Sequence, residues 1–477
     1  MNEGTSCCFD YAISHARLTI VTLLFLLGAG FVAYITIPKE AEPDVRIPIA
    51  FDIEVGFIAT IQPVDGWRRG HVARAIDDGW DAGTTASDSN SKAGLTLQAF
   101  ITGMAEKLGK RMGQSAFNLH LEVGRAAILD AGLVPTAIDG VLTGVPFVEA
   151  YPSFNMVVAE ALGIRHVRFS QMMYLGGANP CAMVNLAARA VSQGWCQAVL
   201  VIYADNRLTA MSRETAIERM TDAVHPEFER PLGPTVAALY AMAAMRHMQV
   251  YGSKPEEFAQ IAVQARANAA RTDGAVMRDP ITVDDVLGSK MIASPLHMLD
   301  CCLFTDYAGA VLVTSPELAG DGGHAPVTVL GGGEGHTHAH LTHAPDFLSN
   351  GAHISGTTAF AQAGTDAEDV DFVQLYDCFT IAVALQLEQL GFCGKGEGAV
   401  FASSGALAPE GELPFNTNGG MLSFHNGGIY HVTEAVQQLR HEAGARQVAG
   451  AQVGLVHGNG GVYAHQATII LGRGGLS

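Results

Sequence analysis

The chain has 477 residues and carries 28 Lys and Arg against 47 Asp and Glu, a formal net charge of −19. Hydrophobic residues make up 48% of the chain and charged residues 16%, which excludes a disordered protein and requires a buried core. An acidic chain without a basic cluster argues against nucleic acid as a partner, and eight scattered Cys without a C-x-x-C pair indicate neither a zinc ribbon nor a disulfide framework.

A long apolar element comes first in the chain. Every residue from 18 to 37 is apolar, Gly, Thr or Tyr, and a helix of about 20 such residues spans the roughly 30 Å of a bilayer core. A buried helix of this length normally keeps a polar face, and this run shows none. The sequence therefore predicts a transmembrane helix. A secretory signal is the weaker alternative, since the run is long and no A-x-A cleavage site follows it.

The segment around this helix resembles part of a membrane transporter. The letters ARLTIVTLLFLLGAGFVAYITIPKEAEPDVRIPIAF resemble the first membrane helix of resistance-nodulation-division efflux pumps, over about residues 10–51. No second apolar run of this length follows, so pump function is excluded. We interpret residues 1–52 as a pump-like segment foreign to the rest of the chain, and residues 53–96 as a poorly ordered linker rich in Ser, Thr, Gly and Asp. The alternative is a genuine single-pass tether to the inner membrane.

Residues 97–477 contain an internal duplication. The pattern A-x-x-x-A-G at 127–132 recurs at 359–364, an offset of 232 residues, and a short loop and a strand follow each copy. Each copy is typical of an amphipathic helix, a Gly C-cap and a buried strand. The sequence predicts a mixed α/β protein with a first half over 97–325 and a second half over 326–477. About a hundred additional residues in the first half predict an inserted, mainly helical lobe over about 207–300.

A duplicated α/β fold with a helical insertion in its first half resembles the thiolase superfamily. Four segments resemble its sterol-carrier-protein-x-like thiolases: GRAAILDAGLVPTAIDGVL, PLHMLDCCLFTDYAGAVLVTS, VDFVQLYDCFTIAVALQLEQLGFCGKGEG and LPFNTNGGMLS. The resemblance implies two βαβαβαββ-type halves in a five-layer αβαβα arrangement and a homodimer, and the scattered Cys residues indicate reduced thiols and a cytoplasmic location. It also implies an acetyl-CoA acetyltransferase-like enzyme that forms or cleaves a carbon–carbon bond of a coenzyme A thioester, with no bound cofactor.

The nucleophile of this family is a Cys thiolate at a helix N-terminus, where the helix dipole favours ionisation. The resemblance places Gly177 at that position. Cys181 follows one helical turn later on the same face. It is therefore either a deeper nucleophile or part of the core or pocket wall, as buried Cys residues usually are.

Tyr376 and His457 follow predicted buried strands, a usual place for site residues. The resemblance puts Tyr376 where condensing relatives have a His. A phenol donates a proton near neutral pH and is a poor base unless its pKa is lowered. His457 takes the place of the second Cys of standard thiolases, and an imidazole transfers protons at neutral pH without tuning. We expect His457 to be the principal catalytic residue. The alternatives are that Tyr376 only packs in the core and that His457 ends a strand and bonds to the backbone.

A Gly-rich segment before residue 430 offers two alternatives for a further catalytic residue. Matching its glycines to the family puts Asn426 at the place of a catalytic His, and a shift of one residue puts His425 there. Glycines also let a substrate approach backbone N–H groups. We therefore expect substrate-binding positions at Gly177, Gly419, Gly420, Gly458 and Gly460.

His336, His338 and His340 alternate along the chain, with His343 close behind. On a strand the first three would face one way, as metal ligands do. No carboxylate or Cys partner is evident in the sequence, so we expect a polar loop and no metal site.

Two alternatives to acyl transfer remain. Thiolase-like proteins that lack the nucleophilic Cys include aldol lyases that use Tyr and His and act with a small OB-fold, zinc-ribbon partner protein; Gly177 and Tyr376 favour this function. A non-catalytic module that binds lipid or acyl-CoA would keep the pocket and lose its polar residues. Tyr376, His425 and His457 argue against such a module.

Overall fold

The computed structural model describes residues 97–149, 152–220, 224–320 and 323–474. The predicted transmembrane helix at 18–37 and the predicted linker at 53–96 lie outside this part of the chain. Among the described residues, no helix is both long enough and apolar enough to cross a membrane.

A mixed nine-stranded sheet organises the described part of the chain, with the order β3-β2-β4-β7-β1-β8-β11-β10-β9. A short hairpin of β5 (Met291–Ala293) and β6 (Leu296–His297) lies apart from it. The sheet strands are β1 Phe100–Lys107, β2 Gly140–Gly144, β3 Phe169–Met173, β4 Ala198–Asp205, β7 Tyr307–Thr314, β8 Val327–His336, β9 Phe372–Leu375, β10 Val453–Gly460 and β11 His465–Arg473.

The strand order repeats symmetrically on the two sides of the β1–β8 pair. Outward from this pair, the first half reads β7-β4-β2-β3 and the second half reads β11-β10-β9. The inner neighbours are antiparallel and the outer ones parallel in both halves. The counterpart of β3 is reduced to one parallel bridge between Val373 and Phe415. This order agrees with the internal duplication that the sequence predicts.

The helices of the two halves form layers on the sheet. They are α1 Ala116–Asp130, α2 Phe154–Leu162, α3 Asn179–Ser192, α9 Ala352–Ala363, α10 Thr380–Gln389, α11 Gly398–Ser403 and α12 Ile429–Arg440. α3 and α12 contact each other and strands of both halves, so they form a central layer, whereas α1 and α2 pack on strands of the first half and α9 on strands of the second.

A close approach of helix to strand occurs in both halves. A Cβ atom at Gly103 on β1 would lie 2.2 Å from the carbonyl oxygen of Ala127 on α1. A Cβ atom at Gly331 on β8 would lie 2.3 Å from the carbonyl oxygen of Ala359 on α9. The repeated A-x-x-x-A pattern thus has a physical cause, because only small residues allow each helix to lie so close to its strand.

The segment predicted as an inserted lobe contains the helices α4 Arg207–Ala210, α5 Arg213–Met220, α6 Val236–Tyr251, α7 Pro255–Ala270 and α8 Val283–Gly288, followed by the β5–β6 hairpin. α6 and α7 pack against α10 of the second half. A buried hydrogen bond of 2.8 Å joins His247 Nε2 to Glu388 Oε1, and Ser253 Oγ lies 2.8 Å from His247 Nδ1. The lobe is therefore fixed to the second half and covers one end of the sheet.

Candidate active site

A cavity of about 650 Å³ lies between the sheet and the lobe. Residues at the carboxyl ends of the parallel strands β2, β3, β4, β9 and β10 form one side of it, where ligands usually bind in α/β folds. The lobe and the β5–β6 hairpin close the opposite side with Val236, Tyr240, Ile292 and Met298.

The side chains around this cavity favour an anionic ligand. Two permanent cations, Arg207 and Arg219, line it together with the rings of His340 and His465, and burial lowers the pKa of His465. Within the described residues, no Asp or Glu side chain lines it, although the whole chain has a net charge of −19. The cavity therefore attracts negative charge against the sign of the protein as a whole.

Gly177 and Tyr376 meet in the wall of this cavity. Gly177 lies in the turn Gly176–Ala178 that leads into α3. A Cβ atom at Gly177 would lie 2.1 Å from Cζ of Tyr376 and 2.4 Å from the carbonyl oxygen of Asn459. No side chain, a nucleophilic Cys included, fits at residue 177 while Tyr376 keeps this position. The phenol occupies the space that a nucleophile at this turn would need.

Tyr376 is held firmly at the end of β9. Its backbone N–H donates to the carbonyl oxygen of His457 at 3.1 Å and to Oε1 of Gln386 at 3.0 Å. The same Gln386 amide donates back to the Tyr376 carbonyl at 2.8 Å. Burial, with smaller effects of the nearby Cys378 and Tyr203, raises the pKa of Tyr376 well above its usual value, and Arg207 opposes this rise. The phenol is therefore protonated at neutral pH.

Cys181 lies in the core and not in the cavity wall. Its thiol is buried and donates to the carbonyl oxygen of Val456 over 3.7 Å. Burial raises the pKa of Cys181 far above its usual value, so this position offers no thiolate. Of the two roles that the sequence leaves open for Cys181, the structure favours the core residue.

Three other thiols, those of Cys301, Cys302 and Cys378, do line the cavity. Burial raises the pKa of Cys302 to about 12 and that of Cys378 well above its usual value. Neither of these two thiols is ionised at neutral pH, and an unionised thiol is a poor nucleophile.

His457 does not reach the cavity, contrary to its expected place in the site. It is fully buried on β10, with Nδ1 2.8 Å from Thr468 Oγ1 and Nε2 2.8 Å from Gln466 Oε1. Burial lowers the pKa of His457 to about 4, which keeps the ring neutral. The strand continues beyond His457 to Gly460, so Asn459 lies in the cavity wall in its place.

A chain of hydrogen bonds nevertheless connects His457 with the cavity. The Gln466 amide donates to Asn459 Oδ1 at 3.0 Å, and the Asn459 amide donates to the Tyr240 hydroxyl at 3.0 Å. Tyr240 in turn donates to the carbonyl oxygen of Gly461 at 3.3 Å. His457 thus positions polar groups of the wall without contacting a ligand there.

The structure separates the two alternatives His425 and Asn426. His425 is buried outside the cavity, with Nε2 2.9 Å from the carbonyl oxygen of Gly274, and burial lowers its pKa. Asn426 lines the cavity, and its amide donates to the carbonyl oxygen of Leu303 at 2.7 Å. Asn426 is therefore the one of the pair that a ligand can contact.

Of the five predicted substrate-binding glycines, only Gly177 lines the cavity. Gly419 and Gly420 have positive φ angles of 103° and 59° and pack against Ala269 and Asp377. The other two, Gly458 and Gly460, pack against the backbone of residues 175–178, because β10 passes directly beneath that turn. The glycines that line the cavity and were not expected are Gly176, Gly427, Gly428 and Gly461.

The His-rich segment lies at the edge of the cavity. His336 Nδ1 is 3.1 Å from His465 Nδ1, and His336 Nε2 is 3.2 Å from Glu334 Oε2, a carboxylate partner that the sequence did not reveal. His340 lines the cavity with His465. Within the described ranges, no group of three or more His, Cys, Asp or Glu is arranged to hold a metal ion.

The sequence analysis did not identify Arg207, Tyr203 and Tyr307 as residues of the cavity wall. The guanidinium carbon of Arg207 lies 5.1 Å from the Phe147 ring centre and 5.2 Å from that of Tyr307. The Tyr203 and Tyr307 rings are 5.0 Å apart, and the Tyr203 hydroxyl donates to the carbonyl oxygen of Gly176 at 3.0 Å. The position of Arg207 in the sequence could have identified it, because Arg207 follows the end of β4 much as Tyr376 follows the end of β9.

Comparison with known proteins gives a consistent assignment. A family model described as "Thiolase C-terminal domain-like" matches residues 333–473. A 17-hydroxy-3-oxo-4-pregnene-20-carboxyl-CoA lyase of Mycobacterium tuberculosis is 35% identical, over 77% of this chain and 98% of that protein. An acetyl-CoA acetyltransferase of Methanothermobacter thermautotrophicus is 31% identical, over 77% of this chain and 99% of that protein.

A solved structure, named "Ltp2-ChsH2(DUF35) aldolase", superposes with a TM-score of 0.72 and 33% sequence identity. The match covers 80% of this chain and 99% of that chain. The sequence relatives and this structure therefore include both a bond-cleaving lyase or aldolase and an acyl-transfer enzyme.

The contact between residue 177 and the Tyr376 ring predicts a measurable coupling. Gly177→Ala should lower the free energy of unfolding by about 1–3 kcal/mol, because its Cβ overlaps the ring and the Asn459 carbonyl. In a Tyr376→Ala background the ring is absent, so the same substitution should cost less, with a coupling energy of about 0.5–3 kcal/mol.

Denaturant unfolding of the four proteins in this cycle measures the coupling. Gly288→Ala is the matched control, because a Cβ atom there meets nothing within 4 Å. An equal cost of Gly177→Ala in both backgrounds would show that the ring does not fill the space above residue 177.

Proposed function

The chain belongs to the thiolase superfamily, and on that premise we propose that it cleaves or forms a carbon–carbon bond of an acyl-CoA thioester by aldol chemistry. The observation that carries this proposal is the Tyr376 phenol above Gly177. It fills the place of a nucleophile with a proton-transfer group.

The expected alternative, acyl transfer through a Cys, has support from the acetyltransferase relative. That reaction needs a thiolate that attacks the acyl carbonyl. Gly177 has no side chain, and Cys181 is buried outside the cavity. The pKa values of Cys302 and Cys378 are raised by burial, and the Cys301 thiol donates to the carbonyl oxygen of His297 at 3.3 Å. The geometry therefore favours the lyase over the acyltransferase.

The cavity supports a substrate class. Its anion-attracting residues suit the phosphates of coenzyme A, and its apolar wall of Ile292, Met298, Leu303 and Phe304 suits a bulky apolar acyl group. The mycobacterial relative is named as a lyase of a 17-hydroxylated pregnene carboxyl-CoA. We propose a β-hydroxyacyl-CoA with a bulky apolar acyl group as the substrate in the cleavage direction.

The proposed reaction balances with one proton-transfer group. The bond between Cα and Cβ breaks as the β-hydroxyl passes its proton to the phenol oxygen of Tyr376, which gives up its own proton in the same step, and a ketone or aldehyde leaves. The electron pair of that bond becomes the enolate of a shorter acyl-CoA, which takes a proton at Cα. Tyr376 delivers this proton from its protonated phenol. The proton from the hydroxyl replaces it, so the reaction consumes no external acid or base.

We assign the remaining sequence-based site residues supporting roles. Asn426 and Gly177 contact the ligand, whereas His457, through Gln466 and Asn459, positions the polar wall. His425 and Cys181 contribute to packing.

The proposed assembly is a homodimer that acts with a partner protein. β3 is the last strand on its side of the sheet, and its only strand partner among the described residues is β2. An open edge of this kind is a ready site for pairing with a second chain. The similar aldolase structure carries a DUF35 component in its name, which supports a second protein as a partner, and we propose the small OB-fold, zinc-ribbon protein that the resemblance implies.

We propose a cytoplasmic location for the enzyme part of the chain. Membrane association through residues 18–37 stays a prediction, because the described residues begin at Leu97.

Replacement of the Tyr376 phenol predicts loss of turnover without loss of fold. Tyr376→Phe keeps the ring above Gly177 and removes the hydroxyl, so the rate of cleavage should fall by about 10²–10⁴-fold. The assay follows release of a shorter acyl-CoA from a β-hydroxyacyl-CoA with a cyclic tertiary alcohol, with no free coenzyme A added. Cys181→Ser is the control and should retain turnover.

Three outcomes of this assay count against the proposal. Tyr376→Phe with near wild-type turnover would remove the proposed acid–base residue. Cleavage of the matching β-ketoacyl-CoA only when free coenzyme A is present would indicate thiolysis. Binding of both thioesters with no turnover would indicate the non-catalytic module.

The proposed homodimer predicts the molecular mass in solution. Light scattering at micromolar concentration should give twice the chain mass, because the open edge of β3 pairs with that of a second copy. Met172→Pro on β3 removes a backbone donor that faces the open edge, because residues 169, 171 and 173 bond to β2, and should shift the mass toward the monomer. A monomer mass for the wild-type chain would contradict the proposed dimer.

A further inference from the structure

The structure places one cation deep in the cavity. Arg207 begins α4, two residues after β4 ends, and lines the cavity with a side chain that is 19% exposed. Phe147 and Tyr307 flank its guanidinium at 5.1 and 5.2 Å. These rings limit the access of water to the charge, which strengthens its interaction with any anion in the cavity.

One side of this guanidinium is fixed by the protein. Arg207 Nε donates to Asp205 Oδ2 at 3.2 Å. Asp205 is itself fully buried, and its carboxylate accepts from the backbone N–H groups of Phe147 and Asn206 at 2.9 and 3.0 Å. The carboxylate thus has a fixed position and orients the guanidinium by its inner edge.

The outer edge of the guanidinium is directed to a ligand. In the described part of the chain, the terminal nitrogens Nη1 and Nη2 of Arg207 donate to no protein acceptor, although the residue lies in the cavity wall. A fixed cation with two unused NH₂ groups matches the geometry of an oxygen anion. Leaving these donors unpaired in a partly buried place costs free energy that a bound oxygen recovers.

We propose that Arg207 is a catalytic residue that binds the thioester carbonyl oxygen of the acyl-CoA and stabilises the negative charge that develops on it as the carbon–carbon bond breaks. This inference deepens the proposed aldol reaction and rests on it. The electron pair of the broken bond moves toward the carbonyl oxygen, and Tyr376 returns a proton at Cα. Preorganised charge at such an oxygen is usually the largest contribution to catalysis.

The other candidates that the sequence offered, and the second Arg of the wall, are less suited to this role. Asn426 already donates its amide to the Leu303 carbonyl, and His425 and His457 lie outside the cavity. Arg219 is exposed, so its position suits the phosphates of coenzyme A rather than the reacting carbonyl. Arg207 and Tyr376 both line the cavity, and the positive charge of Arg207 opposes the rise in the pKa of Tyr376 that burial causes.

The test compares ligands that differ only at the carbonyl. Isothermal titration measures binding of propionyl-CoA and of S-propyl-CoA, a thioether that lacks the carbonyl oxygen. The wild-type protein should prefer propionyl-CoA by about 10-fold, as expected for one hydrogen bond to a charged donor. Arg207→Met should abolish this preference and leave S-propyl-CoA binding unchanged. Its kcat on the β-hydroxyacyl-CoA should fall by about 10²–10³-fold.

Two further variants keep the test decisive. The double variant Asp205→Asn/Arg207→Met removes both charges. If Arg207→Met fails to fold because Asp205 is left unpaired, the double variant should fold. Arg219→Met should instead weaken binding of both ligands alike. Equally weaker binding of both ligands to the Arg207 variants would show that Arg207 holds the phosphates of coenzyme A. A wild-type preference for propionyl-CoA together with a wild-type kcat would show that Arg207 has no role. Either result overturns the inference.

The proposed function and this inference fail in different ways. If wild-type protein cleaves the β-hydroxyacyl-CoA and the Arg207 variants do so equally well, the function stands and the role of Arg207 is wrong. If wild-type protein cleaves no β-hydroxyacyl-CoA, the aldol reaction is wrong. The ligand preference then still reports whether Arg207 contacts the carbonyl, because that readout does not require turnover.

Discussion

The site depends on one steric constraint, the absence of a side chain at residue 177. A Cβ atom at residue 177 would lie within 2.4 Å of both the Tyr376 ring and the Asn459 carbonyl oxygen. Gly458 and Gly460 of β10 extend this constraint, because their missing side chains let the backbone at 175–178 lie directly on the strand. The phenol can therefore reach the carboxyl ends of the strands. A site built around a thiolate at residue 177 and one built around this phenol are mutually exclusive in the same space.

The duplicated architecture explains why the reactive groups meet. Arg207 follows β4 of the first half, and Tyr376 follows β9 of the second half. Both strands belong to the parallel part of their half-sheet, and their carboxyl ends open toward the same cavity. The lobe then encloses this cavity with Tyr240 and apolar side chains. The fold contributes a rigid frame on both sides, and the chemistry follows from the few residues at the strand ends.

Residue periodicity was sufficient to predict the α/β class, because helix patterns and Gly caps repeat along the chain; the duplication and the inserted lobe stay predictions with which the strand order agrees. The family resemblance brought Gly177, Tyr376 and Asn426 to attention, and all three line the cavity. The resemblance placed His457 in the site, but the structure does not. Packing decides where a strand ends and the cavity begins, and β10 continues beyond His457 to Gly460, so His457 stays buried within the strand. Arg207 was missed for a similar reason, since a single Arg beside an Asp is indistinguishable from a surface pair until Phe147 and Tyr307 are seen around it.

The central claim is that the reaction proceeds without a covalent acyl-enzyme. Intact-protein mass spectrometry after acid quenching tests it most directly, with the protein mixed in turn with a β-hydroxyacyl-CoA and with the matching β-ketoacyl-CoA. The account predicts an unmodified mass in both mixtures while the β-hydroxyacyl-CoA is consumed. A mass increase equal to the acyl group, located on a Cys peptide and absent after Cys→Ala replacement at that position, would contradict the account and restore the acyl-transfer mechanism.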